Sequence, residues 1–289
     1  MAGRWPAAGP PVLWSVALSE GHGGAAVWNG AVYLMDYMEA LESDAVRCFS
    51  LADGREIWRH SYRCPTKRNH GVSRTVPAIS SNHVVAMGPR CHVVCLDRET
   101  GKFQWGLDLV RDHGTEVPLW YTGQCPLIDD GVAVIAPAGK SVLMGVDCKT
   151  GEIVWRTPNS EGWKMTHSSV MPMTLLGRRT YVYCAMGGVV GVSAEPADRG
   201  TVLWKSSAWT QSVLAPSPVA VGREPAEAKT TTVTLPVASQ HPPGTFAWRE
   251  LAWRGLLFVA GAAAMGAVLL AARALPIAPG PARPASLLA

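Results

Sequence analysis

The stretch CLDRETGKFQW, Cys95 to Trp105, has a near-copy in GVDCKTGEIVW, Gly145 to Trp155. Both read as an apolar pair, an Asp, a short polar turn, a Gly and then a Trp. Two more copies align on the Trp, LADGREIW ending at Trp58 and PADRGTVLW ending at Trp204. In all four a Gly stands four residues before the Trp, at Gly54, Gly101, Gly151 and Gly200, and the Trp-to-Trp steps are 47, 50 and 49. Near-equal steps with a Gly at a fixed offset mark a repeat.

The interior of each repeat is made of short strands. AVWNGAVYLMD is an apolar run, Asn29-Gly30 and a second apolar run, and PLIDDGVAVIAP does the same around Asp130-Gly131, a strong two-residue hairpin signal. PAISSNHVVAM and MTLLGRRTYVYCAM occupy the equivalent places, and VRCFSL, HVVCLD, LMGVD and VVGVSA supply a third strand. The polar turn and the Trp strand complete a four-stranded unit. A period of roughly 40–50 residues built of such units reads as an all-β fold, a β-propeller of four-stranded antiparallel blades. About four blades are recognisable, so the propeller is expected to be incomplete. Trp14 in PVLWSVAL looks like the last strand of a blade completed from the other end of the chain, and Ser212 to Gly222 resembles the opening of a fifth.

The turn has a physical reading. Asp97 or Asp147 bonds backbone amides that follow it, and Gly101 or Gly151 takes a positive φ where the chain reverses. The Trp ring fills the wedge between diverging blades, burying ~150–250 Å². Gly54, Trp58, Gly101, Trp105, Gly151, Trp155, Gly200 and Trp204 are therefore structural residues rather than a cofactor box.

The totals agree with a folded chain. Of 289 residues, 48% are hydrophobic and 17% charged, and the formal charge of +4 does not point to nucleic acid. Twelve Trp against four Phe fits a Trp repeated once per blade. The seven cysteines are scattered, without a C-x-x-C pair, and read as free thiols. The eight His show no ligand spacing, so no metal site is expected. The N-terminus has no apolar core of the kind a secretory signal carries.

After Gly222 the texture changes. Residues 1–222 hold the blades, 223–250 form a linker rich in Ala, Pro and Thr, 251–275 read as a C-terminal apolar, membrane-spanning helix, and 276–289 as a disordered tail. Gly255 to Ala272 is 18 residues without a charge, between Arg254 and Arg273, which just meets the length for a span. Membrane association through this helix is the localisation it implies. Arginines lie on both sides of it, which leaves the orientation open.

The strings LDRETGKFQW and VDCKTGEIVW resemble the PQQ-like β-propeller repeat family, which includes quinoprotein alcohol dehydrogenases and the propeller lipoprotein of the outer-membrane assembly machinery. The resemblance runs from Trp14 to Gly222. KRNHGVSRTVPAI, WYTGQCPLID and GWKMTHSSVMPM look like an uncharacterised bacterial branch of the family, of the kind common in planctomycetes. Such propellers close with seven or eight blades, so the resemblance implies a truncated chain. A frameshift near Gly222 would account for the change beyond it. The dehydrogenases use PQQ beside an adjacent Cys-Cys disulfide, a calcium held by acidic and Asn ligands, and an Asp base. This sequence has no Cys-Cys pair and no matching acidic motif, so no cofactor is expected, with PQQ and calcium as the alternative.

The candidate binding residues lie in the connections between blades. CPTKRNHGVSR offers Lys67, Arg68, Asn69, His70 and Arg74, donors suited to an anion, a sugar acid or a partner's carboxylates. PLWYTGQC places Trp120, Tyr121 and Gln124 at the equivalent position one blade on, and GWKMTHSS places Lys164 and His167 in the next. All three connections precede the first strand of a blade, so they are expected to gather at one mouth of the propeller. No nucleophile–base pair, P-loop or dinucleotide fingerprint stands out. The residues point to a non-enzymatic scaffold for a protein partner at the cell envelope, engaged through loops or open blade edges. The alternative is a small-ligand binder or a fragment of a quinoprotein-type oxidoreductase. Open blade faces also imply self-association.

Overall fold

The structure is a computed structural model that describes residues 9–21, 23–208, 210 and 213–220. Among them sixteen strands form four sheets, each a four-stranded antiparallel meander of consecutive strands. The first blade is β1 (Ala26–Trp28), β2 (Ala31–Met38), β3 (Ser43–Ser50) and β4 (Glu56–Arg63). The second is β5 (Ala78–Ile79), β6 (His83–Met87), β7 (His92–Asp97) and β8 (Phe103–Asp108). The third is β9 (Leu127–Asp129), β10 (Val132–Ile135), β11 (Ser141–Asp147) and β12 (Ile153–Pro158). The fourth is β13 (Met171–Leu175), β14 (Arg178–Ala185), β15 (Gly188–Ser193) and β16 (Val202–Ser206). A short helix, α1 (Leu109–His113), follows β8; Asp108 caps it by accepting from the Arg111 amide at 3.0 Å.

Local chemistry sets these boundaries. Asn29-Gly30, Asp130-Gly131 and Leu176-Gly177 each hold φ between 45° and 75°, the mirror-image turn that matches strand twist in a two-residue hairpin. In the polar turn, Asp97 Oδ1 accepts from the amides of Glu99 (3.1 Å) and Thr100 (2.8 Å), and Asp147 Oδ1 from those of Lys149 and Thr150 (both 2.8 Å). The last strand of every blade carries a bulge one residue before its Trp: Trp58 faces Cys48, Trp105 faces Cys95, Trp155 faces Gly145 and Trp204 faces Gly191. A bulge there increases the local twist and tips the ring away from its own sheet.

The middle strands are buried on both faces, which is why β2, β7 and β15 read as continuous apolar runs rather than alternating ones. The core lies between blades. Tyr33, Met35 and Trp58 of the first blade pack against Val84, Ala86 and Leu96 of the second. Met87, Cys95 and Trp105 meet Ile135, Met144 and Val146 of the third, and Val134 and Leu143 meet Tyr181, Tyr183 and Val192 of the fourth.

Trp58, Trp105 and Trp155 each reach the following blade. A Cβ added to Gly101 would lie 2.6 Å from the Trp58 ring, and one on Gly151 2.7 Å from Trp105. Trp58 Nε1 donates to Arg98 O (3.0 Å) and Trp105 Nε1 to Cys148 O (2.8 Å). Trp14 does the same to the first blade. It packs on Gly54, its Nε1 donates to Leu51 O at 2.8 Å, and with Val16 it covers Val32, Leu34 and Phe49. The segment is held further along by Ser19 N donating to Asp36 Oδ1 (2.8 Å), Arg47 reaching Ala17 O, and paired amides between Glu20 and Tyr37. Residues 11–19 thus occupy the wedge site of a preceding blade without ladder partners of their own.

Trp155 departs from the series. It packs on Gly200, but among the described residues its Nε1 has no partner, and its ring stacks on Tyr181 at 5.9 Å and 9°. The cause is Gly145 opposite it. Where Cys48 and Cys95 fill the cross-strand position of Trp58 and Trp105, glycine leaves room, and the indole settles over β11, with Nε1 2.1 Å from where a Gly145 Cβ would stand.

All seven cysteines are free, six of them buried. Among the described residues no helix is long and apolar enough to cross a membrane. The expected linker, C-terminal helix and tail lie outside the described residues.

Candidate functional site

In each of the first three blades the fourth strand runs toward the end of the sheet from which the next blade's first strand starts. The three connections, 64–77, 109–126 and 159–170, therefore share one end of the propeller. Their last residues are stitched together around that end. Val76 N donates to Cys125 Sγ (3.2 Å), Cys125 N to Ser169 Oγ (3.0 Å), and Ser169 N to Ser217 Oγ (3.1 Å). This ladder makes residues 76, 125, 169 and 217 equivalent, and so also Arg74, Gly123, His167 and Ala215, two positions earlier.

The first two connections interlock. Tyr121 Oη donates to Lys67 O at 2.6 Å, and the His70 ring stands edge-on to Trp120, centroids 5.5 Å apart at 73°. His70, Trp120 and Tyr121 all hold positive φ, of 50°, 64° and 71°. Non-glycine residues in that region are strained by roughly 1–3 kcal/mol each and persist only where surroundings fix them. Lys67 and Arg68 are exposed, and Arg68 pairs with Glu20. Asn69 contributes its carbonyl, which accepts from Arg74 Nη2 at 3.0 Å, while Arg74 Nε donates to Gly71 O at 2.9 Å.

Arg74 and His167 are both buried in this region, as are Cys64 and His113. Arg74 is 8% exposed, and among the described residues no carboxylate pairs with it. Burial pulls its pKa down, and Tyr121 opposes the shift. His167 is 5% exposed, and among the described residues its Nδ1 has no hydrogen-bond partner. Burial and then the positive charge of Arg74 pull its pKa below the usual imidazole value, against the Leu119 carbonyl, which raises it. The imidazole lies against Gly123, where an added Cβ would be 3.0 Å from both Nδ1 and Cβ of His167.

The remaining sequence candidates stand apart. Lys164 is exposed and paired with Glu116 at 2.8 Å, tying the second connection to the third. Gln124 is fully buried and spent on the fold: its Nε2 donates to Ala136 O (3.0 Å) and Tyr183 Oη (3.4 Å), and its Oε1 accepts from Ala136 N (3.0 Å). The sequence reading passed over Gly123. Aligning the residues that precede Val76, Cys125 and Ser169 would have found it. It also passed over Asp44, which is buried with Ser73 and Tyr62 donating to it and whose carboxyl is pushed up to about 7, chiefly by burial.

A quinone bound with calcium does not fit the donors present. Calcium takes 6–8 oxygen ligands, whereas the carboxylates that meet these connections, Glu20 and Glu116, are each paired with a cation, Arg68 and Lys164. Among the described residues no cluster of His, Cys, Asp or Glu is arranged to hold a metal.

The family model described as outer membrane protein assembly factor BamB matches residues 42–213. No curated protein matches by sequence. Among solved structures, BamB from Moraxella catarrhalis is 16% identical with a TM-score of 0.45, over 67% of this chain and 51% of that one. A quinohemoprotein alcohol dehydrogenase from Comamonas testosteroni is 16% identical with a TM-score of 0.44, over 63% and 34%. One from Pseudomonas putida HK5 is 17% identical with a TM-score of 0.42, over the same shares. The chain thus spans about half the length of the BamB structure and about a third of each dehydrogenase.

Proposed function

The chain belongs to the PQQ-like β-propeller repeat family, through the model for outer membrane protein assembly factor BamB, and on that premise we propose that it is a non-enzymatic scaffold holding a protein partner at the cell envelope. One observation carries this reading. Three inter-blade connections are knitted into a single surface by Tyr121 on Lys67, His70 on Trp120 and Lys164 on Glu116. That surface mixes exposed cations with aromatic rings held in strained backbone, on a rigid sheet platform. Aromatic and Arg side chains are the usual anchors of protein interfaces, and strain at such positions is a mark of function. Membrane attachment through Gly255–Ala272 belongs to the same proposal and would keep the scaffold at the envelope. Self-association through the faces of the first and fourth blades is a further part of it.

Site-specific photo-crosslinking in cells tests the surface. A photoreactive residue at Trp120 or Lys164 should give a discrete adduct in the membrane fraction. The same residue at Lys102 or Lys149, in the turns at the other end of the blades, should not. Adducts of equal yield from both ends, or a quinone with metal co-purifying in stoichiometric amount, would overturn the reading in favour of the oxidoreductase fragment.

A further inference from the structure

The first two connections carry cations that their own carboxylates do not balance. Lys67 and Arg90 are exposed, and among the described residues no carboxylate pairs with either. The acids nearby are already engaged: Glu20 by Arg68, Asp112 by Arg111 and Glu116 by Lys164. By contrast, Arg178, Arg179 and Arg199, at the other end of the fourth blade, each meet an aspartate, Asp198, Asp129 and Asp130. The two free cations also belong to one surface. Arg90 Nη1 donates to Pro65 O at 3.3 Å, two residues before Lys67, and Thr122 N donates to Pro89 O at 3.0 Å. Tyr121, bonded to the Lys67 carbonyl, brings the segment 118–122 against both. That segment adds apolar surface: Leu119 is 61% exposed, and Trp120 beside it is half-buried.

We propose that Lys67 and Arg90, with Leu119 and Trp120, dock an acidic peptide segment of the partner, one in which carboxylates flank an apolar side chain. This rests on the scaffold reading and names the chemistry of the partner it holds. Complementary charge steers the encounter and selects the partner, and a cation with no acid of its own gives up no pair when one arrives. The apolar side chain supplies what surface ion pairs lack, since those are worth little alone. Trp120 and Tyr121 are fixed in positive-φ backbone before any partner arrives, so little ordering is left to be done on binding. A nucleic acid fits less well. Its backbone is neutralised by a row of cations, whereas here the acidic members of the Arg68–Glu20, Arg111–Asp112 and Lys164–Glu116 pairs interrupt the row.

The test uses the full chain labelled with 5-fluorotryptophan, the Trp120 fluorine signal being assigned from Trp120→Phe. Blocked hexapeptides of alternating Glu-Tyr, Gln-Tyr and Lys-Tyr, and a twelve-base oligothymidylate, are titrated against it. The Glu-Tyr peptide should move the Trp120 signal and bind at least fivefold more tightly than Gln-Tyr, with Lys-Tyr weakest. Raising the salt from about 0.01 to about 0.15 M shortens the Debye length from about 30 to about 8 Å and should weaken Glu-Tyr severalfold. Lys67→Gln and Arg90→Gln should each weaken it severalfold. Lys102→Gln, an equal charge change at the other end of the blades, should not. The proposal falls if Glu-Tyr leaves the Trp120 signal unmoved, or if Gln-Tyr binds as tightly. It falls too if the folded double variant of Lys67 and Arg90 titrates like the parent, or if the oligothymidylate binds more tightly than Glu-Tyr. If crosslinks from position 120 persist while these titrations fail, the scaffold stands and its partner is not acidic. If Glu-Tyr binds as expected but the crosslinks are absent, the acidic site stands without the scaffold.

Discussion

Replacing Trp105 and Trp155 by Phe, one at a time, isolates what the indole N–H contributes at a blade junction. Phenylalanine keeps a ring in the wedge at both sites. At Trp105 it removes the bond from Nε1 to Cys148 O, 2.8 Å long and buried, and leaves that carbonyl short of its best donor. That loss costs about 1–2 kcal/mol. At Trp155 it removes a buried donor that has no partner, and with it a desolvation penalty of about 1 kcal/mol or more. Trp105→Phe should therefore be the more destabilising by about 2 kcal/mol. With a urea slope of about 2 kcal/mol per molar, the midpoints separate by about 1 M. Trp58→Phe should track Trp105→Phe, because Trp58 Nε1 also donates, to Arg98 O at 3.0 Å. Equilibrium urea unfolding followed by circular dichroism reads all three. Trp155→Phe should be close to neutral or stabilising, which loss of ring area alone cannot produce. A loss at 155 equal to that at 105 would refute the account of the orphan nitrogen.

Asp44 titrates near neutrality because burial raises its carboxyl from 3.8 to about 7. A raised folded-state pKa gives stability that is whole below about pH 4 and lost as pH rises through 7. Asp44→Asn should thus flatten the pH dependence of unfolding between about pH 4 and 7, where the parent loses up to roughly 4 kcal/mol at 1.36 kcal/mol per unit. A parallel pH profile for the variant would exclude this. Gly101→Ala should cost more than Gly131→Ala by about 1–3 kcal/mol: both hold φ near +70°, but a Cβ at 101 meets the Trp58 ring at 2.6 Å and one at 131 meets nothing within 4 Å. Thermal unfolding of the two variants ranks them. The thiols should resist a disulfide reagent at pH 8, because burial pushes Cys48, Cys91, Cys148 and Cys184 up to about 11 and Cys95 to about 12. All seven should react at once in denaturant, and a fast native thiol would contradict the packing.

The blades were legible because their signals are local. Asn29-Gly30 and Asp130-Gly131 dictate hairpins by backbone sterics, and the Asp97 and Asp147 turns close on neighbouring amides. The hairpin at Leu176-Gly177 was legible only from its flanking apolar runs, since leucine rarely takes a positive φ. The end of the propeller was less so. Sequence composition gathered Lys67 to Arg74 with Trp120 and Tyr121, but it did not distinguish Gln124, consumed by Ala136 and Tyr183, from His167, whose Nδ1 is left over. That difference depends on what lies one blade away, and a single position in the sequence does not encode its neighbour in the next repeat. The same holds for Trp155, whose orphan nitrogen follows from a glycine on the adjacent strand.

The way Trp14, Trp58, Trp105 and Trp155 sit on the turn glycines Gly54, Gly101, Gly151 and Gly200 gives the chain a polarity like that of interlocking bricks: a peg on one side, a socket on the other. Trp14 shows that the peg needs little of its own blade, since a bare segment seats it on Gly54 and Leu51. A cassette excised between equivalent points of two neighbouring repeats carries one peg and one socket. Blades can therefore be duplicated or deleted without designing a new junction, and a short Trp-bearing peptide should suffice to cap an exposed socket.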